Sequence, residues 1–317
     1  VEEIPSLESL AEDTLVALDP RARALHLLFR PDSPHNALFV TNRCNSRCVM
    51  CPQPPTVQDD SWLMEEALRL IGLMRRGPEA LGITGGEPTL LGPGLLRVLD
   101  ALKERFPETC LYLLTNGRLL AYWDYATALA GVGHRRLTVE VPLYADTADL
   151  HDRIVGAAGA FDQAIAGLYN LARLGQTIRL RVVLGKETLP RLGALMEFVY
   201  RNLPFVAEVA LMGMEPMGYV KKNWDRVWID PLDYAAALEA AVRHGALRGM
   251  PVSLFNLPLC LLPRGLWAYA RKSISDYKNV FLPECDACSV HGECSGMFAS
   301  ERLRHGLSGI RAVSQHS

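Results

Sequence analysis

The sequence predicts an α/β protein built on a parallel sheet, and three observations carry that reading. Short apolar runs recur at 37–42, 81–84, 111–115, 137–143, 178–184 and 206–212. Amphipathic segments of helical length follow them, at 61–76, 92–106, 122–131, 160–174 and 190–203. The chain of 317 residues is 49% hydrophobic and 21% charged, which supplies a sizeable core. Strands separated by helices of about 10–15 residues indicate βαβ units. Six such units fall short of a complete eight-stranded barrel and suit a partial barrel or a doubly wound sheet.

Residues 1–36 form a lead-in, in which ARALHLLFR (22–30) can add a strand. The βα units then occupy 37–216. Beyond them the rhythm changes, and 217–317 reads as an extension of the same chain. A Trp-containing loop (218–230) leads to an Ala-rich helix (231–248), a short strand in PVSLFNL, a helix near 264–273 and a cysteine-rich tail.

Composition narrows the classes without excluding an RNA-modifying reading. A net charge of −2 gives no electrostatic case for a nucleic-acid or membrane-surface partner. The N-terminus is acidic and lacks the basic and apolar segments of a targeting peptide. No apolar stretch approaches the roughly 18 residues that span a bilayer. The cysteines fall in two clusters with Cys110 apart, the pattern of metal binding in a reducing compartment rather than of disulfides. A cytoplasmic protein is expected, with Cys110 a buried structural thiol.

The first cluster, Cys44, Cys48 and Cys51, lies just after the first predicted strand. In α/β proteins that end of the sheet is where ligands bind. Thiolates bind zinc or iron–sulfur clusters, and a structural zinc site needs a fourth ligand that is missing nearby. Three cysteines on a [4Fe–4S] cluster would leave one iron open; spacing alone leaves both metals possible. The second signal, Gly85-Gly86-Glu87-Pro88, ends the second strand. Its glycines permit close approach to the backbone, and Glu87 can accept hydrogen bonds from an ammonium group.

Together these stretches resemble the radical S-adenosylmethionine (SAM) enzymes. The resemblance runs over about 36–216 and includes LLTNG (113–117) and LHDRIVGAAGAFDQAIAGL (150–168). It implies a partial (β/α)6 TIM-like barrel of radical SAM type with a C-terminal cysteine-rich extension. SAM would then be the fourth ligand of a cluster held by Cys44, Cys48 and Cys51. One electron would cleave it to a 5′-deoxyadenosyl radical that abstracts hydrogen from substrate, the reductant being a flavodoxin or ferredoxin. On the same resemblance Gly85, Gly86, Glu87 and Pro88 contact the SAM amino group, and Met50 packs near adenine. Arg181 would pair with the SAM carboxylate or with Glu140. Glu140 is an alternative ribose contact where Pro142 replaces a serine of relatives. Thr115 is a further cofactor contact.

The tail holds Cys285, Cys288 and Cys294, with Cys260 as a fourth thiolate. Four cysteines close either a tetrahedral zinc site or an iron–sulfur cluster without an open position. The spacing resembles the SPASM and twitch extensions of peptide maturases, which carry auxiliary [4Fe–4S] clusters. His291 reads as an exposed loop residue, and Met212, Met214 and Met217 as packing. Trp224 and Trp228 could line a groove or pack between segments.

CVMCPQPP, GITGGEPTL, VALMGMEPMG, WIDPLDY, KSISDYKN and LPECDACSV are similar to the His-Xaa-Ser system radical SAM maturases of the HxsC type. That implies a ribosomally made precursor peptide with His-Xaa-Ser repeats as substrate, and a companion radical SAM maturase as partner. About 36 residues precede the barrel, too few for a leader-binding winged-helix domain, so leader recognition would fall to the barrel rim, the extension or a partner. The competing expectations are a radical SAM enzyme acting on a small molecule or tRNA, and a non-catalytic zinc or Fe–S scaffold.

Overall fold

Alternating apolar residues and helical stripes assemble here as the periodicities require. The computed structural model describes residues 10–276, 278–303 and 307–314. The first nine residues of the expected lead-in, and Tyr277 of KSISDYKN, lie outside the described residues. β1 (Leu15–Asp19) and β2 (Ala24–Phe29) form an antiparallel hairpin. There follow β3 (Asn36–Phe39), α1 (Ser61–Leu73), β4 (Ala80–Thr84), α2 (Pro93–Arg105), β5 (Cys110–Leu114), α3 (Trp123–Gly131) and β6 (Leu137–Pro142). Then come α4 (Ala148–Val155), α5 (Ala160–Arg173), β7 (Thr177–Val183), α6 (Leu192–Asn202) and β8 (Glu208–Met212). The C-terminal part adds α7 (Tyr219–Lys222), α8 (Trp224–Val227), α9 (Ala235–Leu247), β9 (Val252–Phe255), and the two-residue strands β10 (Asn279–Val280) and β11 (Met297–Phe298).

Strands β3 to β9 make one seven-stranded sheet in chain order. The pairings β3–β4, β4–β5, β5–β6, β7–β8 and β8–β9 are parallel. The sequence predicts six strands in the repeating part; the seventh, β9, comes from the extension and pairs with β8. The predicted helix near 264–273 is instead a 3₁₀ turn over Arg264–Tyr269, preceded by Pro263 and containing Gly265, a poor helix former.

Contacts divide the chain into two compact units. The first comprises Val1–Asn45, Pro55–Glu140 and Gly167–Thr177; the second comprises Ser46–Pro54, Val141–Ala166 and Ile178–Ser317. In the first, Leu38, Ile83, Leu113 and Val139 stand side by side across β3–β6 and are fully buried. In α2, Leu95, Val98, Leu99 and Leu102 repeat at three- and four-residue spacing and are equally buried. In the second unit, Val182, Leu211 and Leu254 continue such a row across β7–β9. There α6 buries Leu192, Leu195, Met196 and Val199, and α9 buries Leu238, Ala241 and Val242.

The opposite strand faces are different. Parallel strands covered on both faces are usually continuous in apolar residues. Here Thr84, Tyr112, Thr138 and Glu140 alternate with the buried row in the first unit, and Arg179 and Arg181 do so in the second. Polar residues on the second face mark it as the one available for chemistry. Among the described residues no helix is long and apolar enough to cross a membrane.

Candidate functional site

The cysteine loop is held at both ends by backbone hydrogen bonds. Its first part, residues 41–45, belongs to the first unit. Gly86 N–H donates to the Thr41 carbonyl at 2.7 Å and Glu87 N–H to the Arg43 carbonyl at 2.8 Å. A Cβ on Gly85 would collide with the Thr41 carbonyl, and one on Gly86 with the Arg43 carbonyl. The glycines of the GGEP turn are therefore required by the chain's own loop; the sequence reading assigned that closeness to a ligand. Asn116 Nδ2 donates to Asn45 Oδ1 at 2.6 Å, and Arg118 donates to the Asn45 carbonyl. Asp60, which the motif reading passed over, accepts from Thr41 Oγ1 at 2.8 Å, from Asn42 N–H, and from Arg43 Nε at 3.0 Å.

The second part, residues 46–54, belongs to the second unit. Arg47 N–H and Val49 N–H donate to the carbonyls of Val155 and Ile154 at 3.0 and 2.9 Å. Tyr219 N–H donates to the Cys51 carbonyl at 2.8 Å, and Asn223 Nδ2 to the Val49 carbonyl at 2.8 Å. Gly218 sits with φ +54° against the carbonyls of Cys51 and Pro52, where a side chain would clash. Met50 is buried in a cluster with Val49, Tyr144, Ile154 and Met214, so it packs into the core. Cys44, Cys48 and Cys51 are half-buried and form no disulfide. Burial pushes the Cys51 thiol up, opposed by a backbone hydrogen bond of Gln53.

Glu87 is fully buried. Its Oε1 accepts from Thr89 N–H at 3.0 Å, Thr89 Oγ1 at 2.6 Å and Thr115 Oγ1 at 2.5 Å, and its Oε2 from Asn116 N–H at 2.6 Å. Burial holds the carboxyl above its ordinary range in spite of these bonds. The side chain thus ties the ends of β4 and β5 together, and Pro88, also buried, starts the short turn that follows. Thr115 joins Glu87, and its N–H donates to the carbonyl of Glu140, itself buried on β6. In the second unit Arg181 is half-buried on β7, with Nε 3.3 Å from Met212 Sδ and its carbonyl accepting from Leu143 N–H. Its neighbour on the same face, Arg179, pairs with Glu208 at 2.5 Å across β7–β8.

All four tail cysteines line one cavity. Cys260, Cys285, Cys288 and Cys294 surround it together with Leu259, Phe281, Val290, His291 and Met297, and its volume is about 20 Å³. Two backbone N–H groups, of Leu259 and Gly296, point at Cys294 Sγ at 3.4 Å; Val313 N–H points at Cys288 Sγ at 3.4 Å. Burial raises the Cys260 and Cys294 thiols. His291 is exposed and its ring lies 4.1 Å from that of Phe281. Trp224 and Trp228 stack at 4.5 Å; Trp228 packs both against the Met50 cluster and against Leu261, Met297 and Leu307 beside the tail cavity. Cys110 is half-buried at the start of β5, rather than buried as expected, because by strand alternation it shares the less-buried face with Tyr112 and Leu114.

None of the seven cysteines of the two motifs is in a disulfide, and the N–H groups aimed at Cys294 and Cys288 in the tail are what a ligating thiolate accepts. Among the described residues no group of three His, Cys, Asp or Glu is gathered tightly enough for a single metal ion.

A family model described as the Radical SAM superfamily matches residues 38–199, just over half the chain. Among curated proteins, the chain is similar to a probable GTP 3′,8-cyclase of Methanopyrus kandleri, 34% identical over 188 residues, covering 58% of this chain and 57% of that one. It is also similar to the Fe-coproporphyrin III synthase of Methanosarcina barkeri, 28% identical over 172 residues, covering 50% of this chain and 39% of that one. The chain therefore spans only about half the length of such relatives. Among solved structures, Streptococcus suis SuiB matches with TM-score 0.55 at 17% identity, over 70% of this chain and 49% of that one. The anSMEcpe structure with bound AdoMet and Cp18Cys peptide matches with TM-score 0.53 at 16% identity, over 69% and 62%. These two show the fold. Since the family match covers the span from β3 to α6 that carries both the cysteine triplet and the GGEP turn, the chain belongs to the radical SAM superfamily, which uses a [4Fe–4S] cluster and SAM.

Proposed function

We propose that this chain is a radical SAM enzyme that takes a hydrogen atom from a small-molecule substrate. Cys44, Cys48 and Cys51 would hold the [4Fe–4S] cluster, and the Gly85–Pro88 turn would meet the SAM amino group. Thr115, Glu140 and Arg181 are the strand-borne polar groups offered to the rest of the cofactor. When bound, cluster and SAM supply one-electron cleavage of the sulfonium and the hydrogen abstraction that follows, drawing on an external reductant such as a flavodoxin or ferredoxin. The observation that supports the reading is the direct bonding of the Thr41–Arg43 segment, which leads into Cys44, to the GGEP turn. The small-molecule reading draws on the GTP 3′,8-cyclases among the relatives. It has more support than a peptide substrate.

A His-Xaa-Ser precursor peptide, with a companion maturase, is the second reading, favoured by the similarity of the extension to the HxsC type. The tail cavity supports an auxiliary [4Fe–4S] cluster, with zinc as the alternative occupant. The test is iron, sulfide and zinc content of anaerobically prepared protein, beside Cys44→Ala/Cys48→Ala/Cys51→Ala, with 5′-deoxyadenosine measured after dithionite and SAM. About eight irons falling to about four, with cleavage lost, is expected. Adding a nucleoside triphosphate or a His-Xaa-Ser repeat peptide then separates the two substrate readings by which one increases 5′-deoxyadenosine. Absence of iron from the wild type would overturn both.

A further inference from the structure

Asp60 stands immediately before α1, at the position where an aspartate ordinarily caps a helix. Its carboxylate does not do so: no side-chain cap bond is made, and only its carbonyl accepts the Leu63 N–H. The preceding Asp59 bonds the Ser61 N–H instead. The Asp60 carboxylate turns to the other side and collects the Thr41 hydroxyl, the Asn42 N–H and the Arg43 guanidinium. Thr41 Oγ1 in turn accepts from Arg43 N–H at 3.1 Å, which closes a ring of bonds around the three residues. Asp60 is 2% exposed and Thr41 is fully buried, so water does not readily replace the bond between them, whereas the Arg43 side chain is 46% exposed.

Two of the three, Thr41 and Arg43, bond the GGEP turn through their carbonyls, while the Asn42 carbonyl accepts from Thr56 N–H. Thr41 and Arg43 alternate in direction: each gives its carbonyl to Gly86 or Glu87 and its polar side chain to Asp60. Cys44 follows directly. Asp60 thus braces the outer side of a segment whose inner side is bonded to the turn, and the segment cannot shift without breaking one set or the other. Burial opposes the charge of Asp60, and the bonds from Thr41, Asn42 and Arg43 more than offset it, leaving the carboxyl below its usual range.

We infer that Asp60 is a positioning residue of the cofactor site, fixing the Thr41–Arg43 segment, and with it Cys44, in register with the GGEP turn. The inference rests on the function proposed above and adds a residue nine positions beyond the last cysteine of the triplet. It acts through the segment and need not touch SAM.

The test uses the reconstituted full chain, with Asp60→Asn, Thr41→Val and their double variant, and Arg97→Ala as a surface ion-pair control. Three quantities are read: iron per chain, the change in the electron paramagnetic resonance spectrum of the reduced cluster on adding SAM, and the SAM dissociation constant. Asp60→Asn is expected to keep its iron, to weaken SAM binding about tenfold or more, and to lose most of the SAM-induced spectral change. Thr41→Val should act in the same direction, and the double variant should be little worse than either single one, since both break one ring. Amide exchange over 41–45 in the protein before metal loading should quicken at least tenfold in Asp60→Asn. Unchanged SAM affinity, spectrum and exchange, even with a lowered melting temperature, would overturn the inference and leave Asp60 a packing residue. If the wild type binds no iron, the proposed function falls, while the exchange experiment still decides whether Asp60 holds the segment.

Discussion

The two cysteine regions are held by different physics. Residues 41–54 are fixed from strand ends by backbone and buried side-chain hydrogen bonds, none of which involves a cysteine sulfur as an essential partner. The tail from Leu259 to Val313 is a series of 3₁₀ turns and two-residue strands over a small cluster of Leu261, Met297 and Leu307, with its four cysteines around a cavity. The short turns of the second region bury few groups per residue fixed, so a metal held by its four cysteines would contribute a larger share of its stability.

The largest effect that separates them is therefore on stability. Replacing Cys285 and Cys288 by Ser is expected to lower the melting temperature of metal-loaded protein by about 10 °C or more and to open the 280–314 segment to protease, because metal binding at such sites is folding free energy. Replacing Cys48 and Cys51 by Ser should change the melting temperature by about 2 °C or less while abolishing 5′-deoxyadenosine formation. Calorimetry and limited proteolysis on the two double variants decide this. Equal destabilisation by both pairs would break the comparison.

A smaller effect comes from the closest approach in the first region. Gly86→Ala places a methyl group against the Arg43 carbonyl, backbone against backbone, where neither side can swing away. A cost of roughly 2 kcal/mol and partial loss of iron are expected, read by denaturant melts and metal content. Gly92→Ala, where a Cβ meets nothing within 4 Å but φ is +54°, separates conformational strain from collision.

How much of this could be read in advance follows from the range of each interaction. The strand runs 111–115 and 137–143 appear as Cys110–Leu114 and Leu137–Pro142, and the helix at 92–106 as Pro93–Arg105, because local periodicity sets them. β1 escaped notice: LVALD is short and ends on a charge, and only pairing with β2 makes it a strand. Glu87 was recognised as a site residue, but its burial under Thr89, Thr115 and Asn116 depends on β4 and β5 lying side by side. Asp60 was hidden for the same reason. An aspartate before a helix looks like a cap, and its true partners lie 17 to 19 residues away in the chain.

The smallest expected effect sharpens the contrast through pH, since each region contains a buried carboxyl and the two shift in opposite directions. Burial raises Glu301 to about 8, opposed by the Phe298 N–H at 3.1 Å and reinforced by the charges of Glu215 and Asp230. Unfolded, such a group ionises near 4.5. Its contribution is therefore fully present below that pH and declines as pH rises towards 8, because the unfolded chain loses a proton that the folded chain keeps. Asp60 works the other way: its lowered carboxyl stabilises above the ordinary aspartate range and loses that contribution as pH falls through the folded value. Between pH 5 and 8.5 the wild type should lose on the order of 1–3 kcal/mol relative to Glu301→Gln, whereas Asp60→Asn should differ from wild type by a constant amount over that window. Denaturant melts at four pH values test both slopes together. A Glu301→Gln profile parallel to wild type would mean that Glu301 is ionised in the folded tail, and that the tail is more open to water than its burial indicates.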